Sequence, residues 1–392
     1  MKTKFMFSKN IIYKKFNLKN SGKIKKRDFS KLINEDNQIF STMKKSYKNK
    51  YNIKLIKKKI SNKDIRLFGV GGSILGSKAA YNFLQHKIKK KILFIDNFTE
   101  KTFFPKKKYF NLIISKSGNT LETIANSASY LNKQDENLIL TENNQNYLRR
   151  LAKILKSEIV DHNNFIGGRY SVLSEVGMLP AEMMGLNPKR FKRFNNIVKN
   201  KYFINSLIDS VNSILFFVKK KKNNSVIINY DERAEDLFKW YQQLVSESLG
   251  KKGKGILPVI SNMPKDNHSV MQLYLDGYKN NFFTFFSTKS FVNLKPKKSY
   301  LLKDFKHLKS FDLNQIRLIQ KRATENVFYK KKIPFRSFEV GNRNEETLGE
   351  IFIFFILETI ILGRALNVNP YDQPSVELIK KETKKNFSIL KT

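Results

Sequence analysis

The sequence predicts an α/β chain of two domains, each a mainly parallel sheet flanked by helices, with a helical segment at the C-terminal end. Three observations carry that expectation. Short β-branched and apolar runs alternate with helically spaced stretches, the pattern of a parallel sheet covered by helices. Two of these runs stop at turns rich in glycine and hydroxyl side chains, and the C-terminal ends of parallel strands are where such sheets hold ligands. A length of 392 residues with 41% hydrophobic content provides for two cores of ordinary size.

Taken in order, residues 1–40 are polar and irregular and read as a lead-in to helical structure, and residues 37–59 have weak helical spacing. The first firm strand, residues 65–68, runs into Gly69-Val70-Gly71-Gly72-Ser73-Ile74-Leu75-Gly76 before a helix through Ala79, Ala80 and Phe83. A dinucleotide fingerprint is a poor match, because the glycines fall as G-x-G-G-x-x-x-G and Asp96 is the only acidic residue ending the next strand. Further strands at residues 92–95, 112–114, 138–140 and 159–160 complete a first domain, 41–195. The second, 196–392, opens with a helix at 203–218 and a strand at 226–230, then a helix at 234–248 with Leu237, Trp240, Tyr241 and Leu244 on its apolar side. Strands at 256–260 and 282–286 follow, residues 287–330 carry many lysines with no assignable role, and 348–362 read as a buried helix.

The turn after residues 112–114 organises the functional reading. Ile114 is followed by Ser115, Lys116, Ser117, Gly118, Asn119 and Thr120, and helical spacing begins at once. Hydroxyl donors, a glycine that lets the backbone come close and the unpaired N–H groups of a helix start together suit a phosphate. Serine and threonine at a helix start also act as plain caps.

Three further stretches carry chemistry. Gly167-Gly168-Arg169 lets the backbone bend so that a guanidinium enters a cleft, and a surface turn has the same composition. Glu247 follows Trp240 by two helical turns, so it projects from the apolar side, where a less solvated carboxylate is a stronger base; a helix-end glutamate in water is the plain alternative. His268 stands in Asp266-Asn267-His268-Ser269 at a helix start, a place for a cap or a surface group as much as for a catalyst.

With Glu247-Ser248-Leu249-Gly250-Lys251 read as E-S-x-G-K, and Tyr371-Asp372-Gln373 continuing through Val376-Glu377 to Lys380 read as F-D-Q-x-x-V-E-x-x-K, the order of motifs from Gly69 to Lys380 resembles the glucose-6-phosphate isomerase (phosphoglucose isomerase) family. The hydroxyl turn resembles the phosphate loop of SIS domains. The resemblance implies two SIS-type doubly wound domains and an aldose–ketose isomerase. Glu247, His268, Lys380 and Arg169 are then catalytic: Glu247 as base, Arg169 facing the reacting carbons, His268 opening the ring from the other subunit and Lys380 near the sugar. Gly72, Ser73, Ser115, Lys116, Ser117, Thr120 and Gln373 hold the substrate or its phosphate. It also implies a cytoplasmic homodimer with shared active sites and no cofactor. The sequence departs from the motif at Ile379, where the family commonly has glycine, and at Pro374 and Ser375. Mannose 6-phosphate as a further substrate and a non-catalytic sugar-phosphate sensor are the alternatives.

Composition narrows the rest. No cysteine and only four histidines leave no thiol chemistry and little material for a metal site. A net charge of +42 ordinarily suggests a polyanion partner, but lysine is enriched together with Asn, Ile, Phe and Tyr along the whole length, as codon bias produces, and no nucleic-acid motif accompanies it. Nucleic acid is not expected as a partner. The apolar run 351–357 falls short of the roughly 20 residues a membrane span needs and is interrupted by Glu358.

Overall fold

The computed structural model describes residues 5–18, 22–98, 107–289 and 294–389. Within them, two parallel sheets carry helices on their faces. The first sheet has the order β4-β3-β5-β6-β7, built from β3 (Asp64–Phe68), β4 (Ile92–Ile95), β5 (Tyr109–Ile114), β6 (Glu136–Glu142) and β7 (Glu158–His162). All four pairings are parallel, with Ile65 opposite Phe110 and Leu112 opposite Leu138. β5 is buried along its entire length, as a central strand covered on both faces must be. The chain leaves β3 to one side for β4 and returns on the other for β5. The crevice between the ends of β3 and β5 is therefore the switch point of a doubly wound sheet.

The helices of this half are α1 (Lys26–Ile33), α2 (Gln38–Met43), α3 (Ile53–Ile60), α4 (Leu75–Phe83), α5 (Leu121–Tyr130), α6 (Tyr147–Ile154) and α7 (Glu175–Met183), followed by short α8 (Pro188–Phe191) and α9 (Phe194–Ile197). Asparagine starts several of them: Asn52 caps α3 and Asn146 caps α6, each side chain accepting from a backbone N–H that the helix leaves unpaired.

The second sheet has the order β1-β2-β11-β10-β8-β9, with β8 (Asn224–Asn229), β9 (Leu257–Asn262), β10 (Asn281–Thr288) and β11 (Phe335–Val340) parallel. Around it lie α10 (Lys201–Lys219), α11 (Glu235–Leu249), α12 (Met271–Asp276), α13 (Leu313–Lys330) and α14 (Glu345–Ala365), and the chain ends in α15 (Val376–Ile389). The stretch read as an irregular lead-in instead supplies the edge of this sheet. β1 (Phe5–Ser8) and β2 (Ile11–Lys14) form a hairpin whose second strand runs antiparallel to β11. The reason lies in the alternation Ile11, Tyr13 inward against Ile12, Lys14, with Phe7, Ile11 and Tyr13 fully buried. Helical structure begins only at Lys26. The sequence reading also passed over β11 and α13, which share a buried charge cluster: Lys321 pairs with Glu325 at 2.6 Å and Glu339 at 3.1 Å, and Lys14 with Glu325 at 3.3 Å.

α14 is buried from Thr347 through Gly363. A helix apolar on all sides belongs in a core, and each such Phe or Ile contributes about 1.5–3 kcal/mol relative to exposure. Two charges fall in this stretch: Glu350 pairs with Arg193 at 3.3 Å, and Glu358 meets Arg336 of β11, both fully buried. Among the described residues, no helix is long and apolar enough to cross a membrane, and no group of three or more His, Cys, Asp or Glu side chains is placed to hold a metal ion.

Candidate active site

The loop after β5 keeps the shape expected of a phosphate cradle. Gly118 has φ +65°, and a Cβ there would lie 2.1 Å from Asn146 Oδ1, so only glycine lets the turn close against α6. Ser115 is buried and its Oγ lies 2.8 Å from Thr120 Oγ1. Thr120 occupies the position before α5 without a side-chain cap bond, so helix capping is not what its hydroxyl does. Ser117 is exposed, its Oγ accepting from the Asn119 N–H at 3.3 Å. The Lys116 ammonium donates to the Asn164 carbonyl at 2.8 Å and pairs with Glu142 at 3.2 Å.

The glycine turn after β3 lies beside it and against the turn carrying Arg169. A Cβ on Gly72 would fall 2.2 Å from the carbonyl carbon of Gly168, so the two backbones touch and a side chain would part them. Ser73 is half-buried next to this contact, and its neighbour Gly69 approaches the Ile114 carbonyl at the end of β5. The switch point of the first sheet is thus walled by the segments that carry Gly72, Ser73, Ser115 and Thr120.

Arg169 is the hub. Its guanidinium is fully buried, with Nε donating to Ser248 Oγ at 2.8 Å, Nη1 to Glu247 Oε2 at 3.2 Å and to Gln373 Oε1, and Nη2 to the carbonyls of Pro370 at 2.7 Å and Asp372 at 3.1 Å. Those five bonds use all five N–H donors of an arginine. Trp240 Nε1 donates to the Arg169 carbonyl at 3.1 Å, which locks the backbone of the turn to α11. Glu247, on the last turn of α11, has its side chain 28% exposed, with Oε1 accepting from Gln243 at 2.9 Å. A carboxylate open on one side, held by a fixed cation and an amide on the other, can exchange a proton with a bound carbon acid.

Comparisons with known proteins place the chain in a family. The family model described as phosphoglucose isomerase matches residues 20–260. A probable glucose-6-phosphate isomerase of Methanococcus maripaludis is 32% identical over 346 residues, spanning 81% of this chain and 77% of the relative. The glucose-6-phosphate isomerase of Methanocaldococcus jannaschii is 32% identical over 341 residues, spanning 81% of this chain and 82% of the relative. The chain belongs to the phosphoglucose isomerase family. Two solved structures share its fold: a hypothetical protein of Thermus thermophilus, with TM-score 0.79 at 22% identity over 92% of this chain and 93% of that one, and a glucose-6-phosphate isomerase of Chlamydia trachomatis, with TM-score 0.65 at 15% identity over 97% and 89%.

Within this phosphoglucose isomerase family member, the structure brings Arg169, Glu247 and Gln373 together and leaves two candidates apart. His268 ends a short turn of helix after β9, is exposed, and makes no hydrogen bond or ion pair with Glu247 or Arg169. Lys380 is on α15, an exposed helix with no buried residue, and its ammonium pairs with Glu377 of the same helix at 2.6 Å. Sequence reasoning missed Gln243 and Ser248. Gln243 precedes Glu247 by one helical turn, a spacing that places both on one face, and Ser248 stands inside the E-S-x-G-K motif.

Proposed function

We propose that the chain is a glucose-6-phosphate isomerase, interconverting glucose 6-phosphate and fructose 6-phosphate in glycolysis and gluconeogenesis, as a cytoplasmic homodimer. The observation that carries the reading is the contact between the buried Arg169 guanidinium and the half-open Glu247 carboxylate at 3.2 Å, beside the hydroxyl loop after β5. In this reading the substrate phosphate sits on Ser115, Ser117, Thr120 and the start of α5, and binding energy from that remote group holds the reacting carbons in line. His268 of the second subunit and Lys380 move a proton between the ring oxygen and a hydroxyl to open the sugar. Glu247 takes the proton from C2 of the open aldose and returns it to C1, and Arg169 stabilises the cis-enediolate formed between the two steps. Gln373 contacts the phosphate, and Ser73 with the Gly72 backbone lines the sugar.

A coupled assay of fructose 6-phosphate conversion tests it. Steady formation of glucose 6-phosphate that inorganic phosphate inhibits competitively is the expected result. Tight binding of fructose 6-phosphate without turnover would make the protein a sensor instead.

A further inference from the structure

The segment that crosses Arg169 is held from its far side by Lys251, the lysine that closes the E-S-x-G-K motif and has no part in the proposed reaction. Residues 369–373 lie over the guanidinium, presenting the carbonyls of Pro370 and Asp372 and the side-chain oxygen of Gln373 to it. Lys251, in the tight turn after α11, donates to the Asp372 carbonyl at 2.6 Å and to its carboxylate Oδ1 at 2.9 Å. Its side chain is only 10% exposed, although it belongs to a chain whose lysines are mostly solvated. The Asp372 carbonyl therefore accepts from Lys251 and from Arg169 together, while Asn369 donates to the other carboxylate oxygen at 3.0 Å. Beyond Gln373, residues 374–389 are almost all exposed. Lys251 and Asp372 are thus among the last ties before the chain leaves for α15.

This pairing has a chemical consequence at Gln373. A guanidinium has donors and no acceptor, so the Gln373 amide must turn its oxygen to Arg169, and its NH2 group then points the other way, available to a ligand. The orientation lasts only as long as the segment stays in place. We propose that Lys251 is a positioning residue for the isomerase reaction: by gripping Asp372 it fixes residues 369–373 over Arg169 and with them the amide NH2 that Gln373 offers to the phosphate of the substrate. Lys251 itself touches no reacting atom. The assignment rests on the isomerase reading above, and its test separates the two.

Lys251→Met, Asp372→Asn and their double variant are assayed with fructose 6-phosphate, alongside hydrogen exchange of the backbone amides of segment 369–373, in which Pro370 has none. The expected result is a KM raised about tenfold with kcat changed less than about threefold, because ground-state binding is what a misplaced Gln373 loses. The double variant should be no worse than the worse single, since the two groups act through one contact. Lys251→Arg should restore most of the KM, and exchange at 369–373 should quicken in Lys251→Met while the melting temperature stays within a few degrees. A wild-type protein without turnover would sink the isomerase reading itself. An active wild type whose Lys251→Met variant keeps the wild-type KM and exchange would overturn the positioning role alone, as would a raised KM and lowered kcat that accompany a fall in melting temperature and are not rescued by arginine.

Discussion

Arg169 reaches Glu247 at 3.2 Å from a guanidinium with no exposure of its own, while the Glu247 side chain keeps 28% of its surface open. The cation is thus fixed from behind and the carboxylate faces the solvent side, the asymmetry that proton transfer to a diffusing substrate requires. A preorganised cation needs no reorganisation when charge develops next to it, which is why such groups outperform water as stabilisers.

Glu247→Gln removes the proposed base and keeps the shape. The amide can still meet Arg169 and Gln243, so substrate binding should change modestly while kcat drops by orders of magnitude. Near-normal turnover in this variant would mean that another group moves the proton.

The hydroxyl loop is read by a different measurement. Ser117→Ala combined with Thr120→Ala removes an exposed hydroxyl and the partner of Ser115 and leaves Gly118 and the start of α5 intact. KM for the phosphorylated sugar should rise by roughly a hundredfold or more, two lost hydrogen bonds to a charged group being worth on the order of 1.5–3 kcal/mol each. Competitive inhibition by inorganic phosphate should weaken in parallel, and an unchanged inhibition constant would place the phosphate elsewhere.

Much of this was legible in the sequence because the first sheet advertises itself. β3 and β5 are largely buried apolar runs cut off by glycine or hydroxyl turns, β6 repeats the apolar run, and Trp240, Tyr241 and Leu244 mark the inner face of α11. The hairpin of β1 and β2 was missed for a physical reason: its strands are four residues each, and β11, the partner of β2, lies more than 300 residues away, beyond any local pattern. At the site, Glu247 and Arg169 were found by motif, whereas the two carbonyls on Arg169 were not, since a backbone oxygen leaves no trace in residue type. Lys380 was carried over from a motif that this chain alters at Pro374, Ser375 and Ile379, and in the structure its ammonium pairs with Glu377 of its own helix.

Stability should hinge on one ion pair outside the site. Arg336 and Glu358 are both fully buried, the arginine also donating to Thr284 at 2.9 Å. Glu358→Ala strands the guanidinium without its counter-charge and should cost about 3–5 kcal/mol, whereas Arg336→Met with Glu358→Leu, which removes both charges, should cost far less. Denaturant midpoints compare the two, and a single variant losing less than about 1 kcal/mol would refute the argument.

His162 gives the fold a pH dependence. Burial at the end of β7 pushes its imidazole from 6.5 down to about 4, with the Asn163 carbonyl opposing and the Lys116 charge assisting the shift. Because the unfolded chain takes up this proton first, stability is full above about pH 6.5 and falls as the pH drops toward 4. The loss should total on the order of 3 kcal/mol once the folded imidazole also titrates. Urea unfolding at pH 7 and pH 5 measures the slope, which should flatten in His162→Gln; an equal slope in both proteins would assign the dependence to other groups.

The last expectation concerns assembly. His268 is exposed and remote in bonding from Glu247 within one chain, which fits a histidine that serves the site of a second copy. Chains carrying His268→Ala and Glu247→Gln should each be nearly inactive. Refolded together in equal amounts they should pair at random into about half heterodimers, each with one site that has both an intact Glu247 and an intact His268. Activity should therefore return to roughly a quarter of the wild-type level. A well-folded mixed dimer with no more activity than its parents would show that each site is built within a single chain, and His268 would then have to reach Glu247 by a movement of its own loop.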